Sequence, residues 1–192
     1  MTRDLGLIEV PGALPDAACR AWITRAEALG FEAAPIDGRD GPRIETRVRD
    51  NDRVVLDDPD AAGELYRAFR EWLPAGAFLD LPYDLPGVRR GVAVGLNERL
   101  RIYRYAGGQR FRWHTDGSFQ RSADEWSAWT VLVYLNDGFE GGETSFMGRD
   151  VTPSAGLAVA FPHRLEHSGQ PVTRGVKYVL RTDLMVRALD SA

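Results

Sequence analysis

The sequence predicts a mainly β fold, an antiparallel sandwich or barrel with a helical segment in front of it. Two changes of pattern carry this reading. From about residue 92 onward, short runs such as RLRIYRY (99–105) alternate apolar and polar residues, and turn clusters NDG, EGGE, TPSAG and SGQPVTRG separate the runs. Before about residue 75, apolar residues recur instead every three or four positions, the period of a helix buried along one face.

The first helix is expected over PDAACRAWITRAEALG (15–30). Pro15-Asp16 supplies the first turn, Gly30 the stop, and Cys19, Trp22, Ile23, Ala26 and Leu29 form the buried stripe. DDPDAAGELYRAFREWLP (57–74) repeats the design, with Leu65, Tyr66, Phe69 and Trp72 on one face and Pro74 closing it. The connection GRDGPRIETRVRDNDRVV between them is arginine-rich and reads as a surface loop, or as a loop folded over a site. Strands are expected at RLRIYRY, at WTVLVYLN (129–136), at LAVAFPHRLEH (157–167) and at VKYVLRTDLMV (176–186). A chain of 192 residues is most simply one domain over 1–192, with a helical part of about 1–91 and a β core of about 92–187.

Composition narrows the partners. Net charge is -4 and the arginines are interleaved with acids, so no concentrated basic patch invites nucleic acid or a membrane surface. Cys19 is the only cysteine, which excludes an intrachain disulfide and a thiolate metal cluster and fits a reducing compartment. The N-terminal MTRDLGLIEVPGAL lacks the features of a signal peptide, and no apolar run approaches the ~20 residues of a membrane span. The expectation is a cytoplasmic protein.

Three histidines are present, His114, His163 and His167. In RFRWHTDGSF, His114 precedes Asp116 by two positions, which at a strand end places an imidazole and a carboxylate on one side. H-x-D alone is a weak signal. A second histidine on a neighbouring strand would complete two imidazoles and a carboxylate on one face of a metal, the arrangement of non-haem Fe(II) oxygenases. His167, expected to end a strand before SGQPVTRG, is the preferred partner, and His163 is read as a core or supporting group. Of the 24 basic residues only Lys177 is a lysine, and it follows His167 by ten positions on the returning strand. A buried ammonium is stable only beside an anion, so Lys177 suits the distal carboxylate of a bound 2-oxo acid; the alternative is a surface lysine.

Taken together, RIYRYAGGQRFRWHTDGSF, VLVYLNDGFEGGETSF and HSGQPVTRGVKYVLRTDLMV resemble the Fe(II)/2-oxoglutarate-dependent oxygenases of the prolyl 4-hydroxylase-like family, over about residues 97–186. The resemblance implies a double-stranded β-helix (jelly roll) with N-terminal supporting helices. It implies His114, Asp116 and His167 as catalytic iron ligands and Lys177 as the anchor of 2-oxoglutarate. It also implies Tyr105 and Tyr134 as co-substrate-binding residues, with aromatic packing as the alternative for each. Thr130 and Leu132 share the parity of Tyr134 and should face the interior. The implied activity is a dioxygenase using Fe(II), 2-oxoglutarate and O2, with ascorbate admissible as reductant. It would hydroxylate an unactivated C–H of an amino-acid residue or small molecule, with succinate and CO2 as co-products.

The substrate is left open. The loops 38–53 and 117–129 are expected at the open end, where Arg47, Arg49 and Arg53 either meet a substrate carboxylate or acidic peptide or are solvated. Two other readings stand beside the oxygenase: a non-catalytic metal- or ligand-binding jelly-roll module, and a zinc hydrolase using His163 as a fourth ligand.

Overall fold

The computed structural model describes residues 6–38, 41–75 and 91–189. Residues 39 and 40 of the expected loop and 76–90 of the expected helical part lie outside this set. Two antiparallel sheets stack as layers. The larger runs in the order Ile8–Val10, Ala158–Pro162, Glu125–Tyr134, Val176–Ala188, Arg99–Ala106, Asp52–Asp57, Glu32–Ala33, and Gly91–Leu96 joins it by pairing with the far half of Val176–Ala188. The smaller runs Arg149–Val151, Thr144–Phe146, His167–Gly169, Phe111–His114. This is the mainly β jelly roll that the strand pattern and the resemblance led us to expect.

Period-two alternation divides the core into two apolar clusters. Leu100, Ile102, Val131, Val133, Leu180 and Leu184 point out of the larger sheet toward the helices. Tyr103, Tyr105, Leu132, Tyr134 and Val179, their alternates, point the other way and meet Phe146 and Val151 of the smaller sheet. Lys177 and Arg181 share the parity of Val179, so the inner face of this strand carries two cations. Helix α1 (Asp16–Leu29) buries Cys19 and Ala26, and α2 (Pro59–Phe69) buries Ala62, Leu65 and Phe69. The side chain of Asp58 caps α2 by accepting from the Ala61 N–H at 3.0 Å, with Pro59 in the first turn. No helix among the described residues is long and apolar enough to cross a membrane.

Five expectations need correction. The arginine-rich connection is more than loop, because Asp52–Asp57 is a strand of the larger sheet, with Val54 buried opposite Ile102. Its charges are tolerated because they pair laterally: Arg104 Nη2 lies 3.0 Å from Asp52. Helix α2 stops at Phe69, whose carbonyl takes the N–H groups of Trp72 and Leu73 in a turn, well before Pro74. Leu29, assigned to the buried stripe of α1, is 55% exposed. The run 157–167 is two strands: Ala158–Pro162 stays in the larger sheet, a turn closes from Leu165 N–H to the Pro162 carbonyl, and His167 opens a strand of the smaller sheet. Likewise 125–129 of the expected 117–129 loop already lies in the strand Glu125–Tyr134.

Candidate metal centre

His114 ends the strand Phe111–His114, and antiparallel register sets it opposite His167. Opposed residues on paired strands approach closely, and here the ring centroids are 4.2 Å apart. Each ring is held from behind. His114 Nδ1 donates to the Arg112 carbonyl at 2.7 Å, and His167 Nδ1 donates to the Leu165 carbonyl at 2.9 Å. A carbonyl can only accept, so Nδ1 carries the proton and the Nε2 lone pairs are left to converge.

They converge on Asp116. Its backbone N–H is anchored to the His163 carbonyl at 2.9 Å. Its Oδ1 is 3.8 Å from His114 Nε2 and its Oδ2 3.7 Å from His167 Nε2. The donor atoms of the three residues all lie within 4.8 Å of one another. Burial, with the neighbouring ring adding to it, pulls the His114 pKa down to about 4, and burial lowers that of His167 as well. Both rings are therefore disposed to be neutral near pH 7, the form in which an imidazole can ligate a metal. Burial opposes ionisation of Asp116, but Arg181, with Nη2 at 3.1 Å from Oδ1, overrides it and holds the carboxyl below its usual range. Two neutral imidazoles and one carboxylate on one side fit a divalent iron with open positions opposite.

His163 is not a fourth ligand. The Thr130 hydroxyl donates to Asp116 Oδ2 at 2.5 Å, so its oxygen accepts from His163 Nδ1–H at 2.9 Å. His163 Nε2 in turn accepts from the Ser127 hydroxyl at 2.9 Å. Both ring nitrogens are used, and this relay orients Asp116 through its Oδ2. The zinc reading, which required His163 at the metal, loses its fourth donor. The expected supporting role of His163 and the inward face of Thr130 and Leu132 both agree with this arrangement.

A pocket runs inward from the triad, walled by Phe111, Leu132 and Val179 and containing Tyr105, Tyr134 and Lys177. Lys177 is 3% exposed; its Nζ donates to the Gly142 carbonyl and sits 5.1 Å above the Tyr134 ring and 5.5 Å above that of Tyr105. Gly142, at φ +74°, is required here, because a Cβ would lie 3.0 Å from Val172 and 3.1 Å from the lysine stem. Burial draws the lysine pKa down to about 7, opposed only by Glu143. The Tyr134 hydroxyl donates to Thr144 Oγ1 at 2.6 Å, which leaves the threonine proton free to turn into the pocket.

Sequence reasoning missed Arg181, Thr144 and Tyr103, which also line this pocket. Arg181 was within reach, since it lies four residues beyond Lys177 at the same strand parity. Thr144 carried no signal, because it reaches the pocket only through pairing of Thr144–Phe146 with His167–Gly169. Arg49 lies over the Tyr103 ring at 4.3 Å. Burial alone would raise the Tyr103 pKa, yet Arg49, Arg181 and Arg101 bring it to about 8, the mark of a strongly positive surrounding.

Residues 100–182 match the 2OG-Fe(II) oxygenase superfamily, which implies Fe(II), 2-oxoglutarate and O2. Among solved structures, the chain is similar to a viral collagen prolyl hydroxylase from Paramecium Bursaria Chlorella virus-1 in its 2-oxoglutarate complex. The identity is 20%, with 95% of this chain and 96% of that one covered at a TM-score of 0.64. A prolyl-4-hydroxylase from Pseudomonas putida follows at 21% identity, 97% and 94% coverage and a TM-score of 0.63. A prolyl hydroxylase from Trichoplax adhaerens, in complex with a hypoxia inducible factor peptide fragment, aligns at 15% identity, 94% and 84% coverage and a TM-score of 0.62. No curated protein matches the chain. The motifs quoted from the sequence fall within or beside the matched residues, and together the match and the fold support a 2-oxoglutarate-dependent dioxygenase.

Proposed function

We propose that this chain is an Fe(II)- and 2-oxoglutarate-dependent dioxygenase that hydroxylates an unactivated C–H of an amino-acid residue or small molecule, with succinate and CO2 as co-products. The observation that carries the reading is the placement of two chemically complementary ends in one pocket. Convergent His114, Asp116 and His167 donors stand at its mouth and a buried ammonium, without a salt bridge among the described residues, at its inner end.

When bound, Fe(II) and 2-oxoglutarate supply the oxidising power for C–H hydroxylation by O2. His114, Asp116 and His167 hold the metal from one side and keep the opposite positions open. Lys177 meets the distal carboxylate of 2-oxoglutarate as a point charge, and the hydroxyl of Thr144, oriented by Tyr134, donates beside it. Tyr105 and Tyr134 flank the lysine with their ring faces, while Phe111, Leu132 and Val179 exclude water. We take residues 1–192 as one domain whose helices brace the larger sheet.

A prolyl or other peptidyl target is supported by the peptide held by the Trichoplax neighbour, and a free small molecule is equally compatible with the site. The deciding experiment is anaerobic titration of purified protein with Fe(II) and 2-oxoglutarate. A weak visible metal-to-ligand charge-transfer band is expected. Its absence with metal demonstrably bound would refute the reading. Succinate release on admitting O2 and candidate substrates then identifies the target.

A further inference from the structure

Outside the triad the inner pocket opens into a second, broader cleft, which shares His114, Asp116, Phe111, Tyr103 and Arg181 with it. Among the described residues, five arginines line this cleft, Arg49, Arg53, Arg99, Arg101 and Arg181, against two carboxylates, Asp116 and Asp183. The acids are already committed. Asp116 faces Arg181 at 3.1 Å, and Asp183 faces Arg181 at 3.2 Å and Arg101 at 3.5 Å.

Arg49 is different in kind from the others. It is 6% exposed, and its Nε donates to a neutral amide, Asn51 Oδ1, at 2.7 Å. Its guanidinium is packed over Tyr103 and Phe111, and Nη2 is buried with no hydrogen-bond partner among the described residues. Nor does any carboxylate among the described residues make a salt bridge to it. Among the described residues, Arg53 beside it pairs only with Glu32, at 3.9 Å, and its Nε is also buried without a hydrogen bond. Burying a guanidinium while leaving its donors unused is costly, unless an anion arrives to take them. Arg47, by contrast, is exposed and does not line the cleft.

We propose that the outer cleft is the recognition site for a carboxylate of the primary substrate, gripped by Arg49 and Arg53 so that a neighbouring C–H faces the triad. The proposal rests on the oxygenase reading for the identity of the reaction, and on the cleft alone for the charge of the ligand. A planar guanidinium fork fixed between two aromatic faces suits a carboxylate in two-point contact. The width of the cleft admits either the carboxylate of a free amino acid or an acidic side chain on a peptide.

The test uses two matched sets of probes: free L-amino acids against their amides, and capped tetrapeptides that differ only by glutamate or glutamine. Binding is measured by calorimetry on full-length protein loaded with redox-silent Zn(II) and saturated with 2-oxoglutarate, so that the inner pocket is filled. Succinate release is measured separately with Fe(II). Acids are expected to bind and to stimulate succinate release, their amides to do neither, and whichever set responds identifies the source of the carboxylate. Arg49→Met should weaken acid binding by about 10- to 100-fold, the loss expected for a charge-assisted contact. Arg53→Gln, on a less buried side chain, should act in the same direction, and Arg47→Gln should leave binding unchanged. Equal response to acid and amide, or no response to any acid, overturns the proposal. The charge-transfer titration is independent of both sets and shows whether the oxygenase reading fails with it or survives.

Discussion

Arg181 holds its Nη2 3.1 Å from Asp116 Oδ1, so the only carboxylate of the triad already faces a fixed positive charge. The same nitrogen lies 3.2 Å from Asp183, a buried acid on the same strand face, and the strand thereby ties the metal centre to the outer cleft. In the absence of metal, Arg181 supplies the counter-charge for Asp116. A divalent cation at the triad would take over part of that role.

This relationship sets the first prediction. Arg181→Met removes one partner of a buried pair and should lower metal-free stability by about 3 kcal/mol. Saturating Mn(II) should then raise the melting temperature more in the variant than in wild type, because the cation restores what the guanidinium supplied. Equal metal-induced shifts in the two proteins would show that Arg181 and the metal do not act on the same carboxylate.

Lys177 is buried beside a carbonyl and two ring faces without a salt bridge among the described residues. Its charge therefore does little for the empty protein and much for a bound dicarboxylate. Lys177→Met should hold or raise metal-free stability in urea while raising the 2-oxoglutarate KM by about 100-fold. Lys177→Arg keeps the charge but adds length and a planar fork in a pocket that Gly142 already crowds, so its KM should rise too, with Fe(II) affinity unchanged. An unaltered co-substrate KM in Lys177→Arg would remove Lys177 from the site.

Much of this was legible along the chain, for a definable reason. Strand parity is local, so His114 with Asp116, and Thr130, Leu132 and Tyr134 together, could be assigned to faces from spacing alone. What escaped depended on partners distant in sequence. Asp52–Asp57 read mostly as loop because it closes the connection 38–55, where charged residues outnumber apolar ones, and its strand character comes from pairing with Arg99–Ala106. The run 157–167 read as one strand because no turn cluster interrupts it between TPSAG and SGQPVTRG, although the chain changes sheets at Pro162. That change of sheet is what brings His167 opposite His114, so the spacing picked out the candidate ligand while the reason for its position was hidden.

The pH dependence follows from the burial of Lys177. Its pKa in the folded, ligand-free protein is drawn from 10.5 to about 7. Between these values the unfolded chain holds a proton that the folded chain lacks, so this group makes ligand-free stability rise with pH across about 7 to 10.5. That contribution is lost as pH falls through 7. Co-substrate binding needs the ammonium and runs the other way. The 2-oxoglutarate Kd, measured anaerobically with Mn(II), should rise by up to about tenfold per pH unit above 7. Lys177→Met should abolish the slope, and a slope persisting in that variant would assign it to another group.

The relay behind Asp116 gives the last prediction. Thr130 donates to Asp116 Oδ2 and accepts from His163 Nδ1–H, so one hydroxyl couples the carboxylate to a buried imidazole. Thr130→Val keeps the shape and removes both functions. The unpaired imidazole N–H should cost about 1–3 kcal/mol of stability. The loosened carboxylate should weaken Fe(II) binding by about 10- to 100-fold, as disruption of the groups that orient metal ligands commonly does. Thr130→Ser separates the two effects, because it returns the hydroxyl without the methyl. Metal affinity recovered in Thr130→Ser, with stability recovered only in part through the missing methyl, is the expected pattern. Wild-type metal affinity in Thr130→Val would mean that the histidines and Arg181 suffice to hold Asp116 in place, and that the relay serves the core alone.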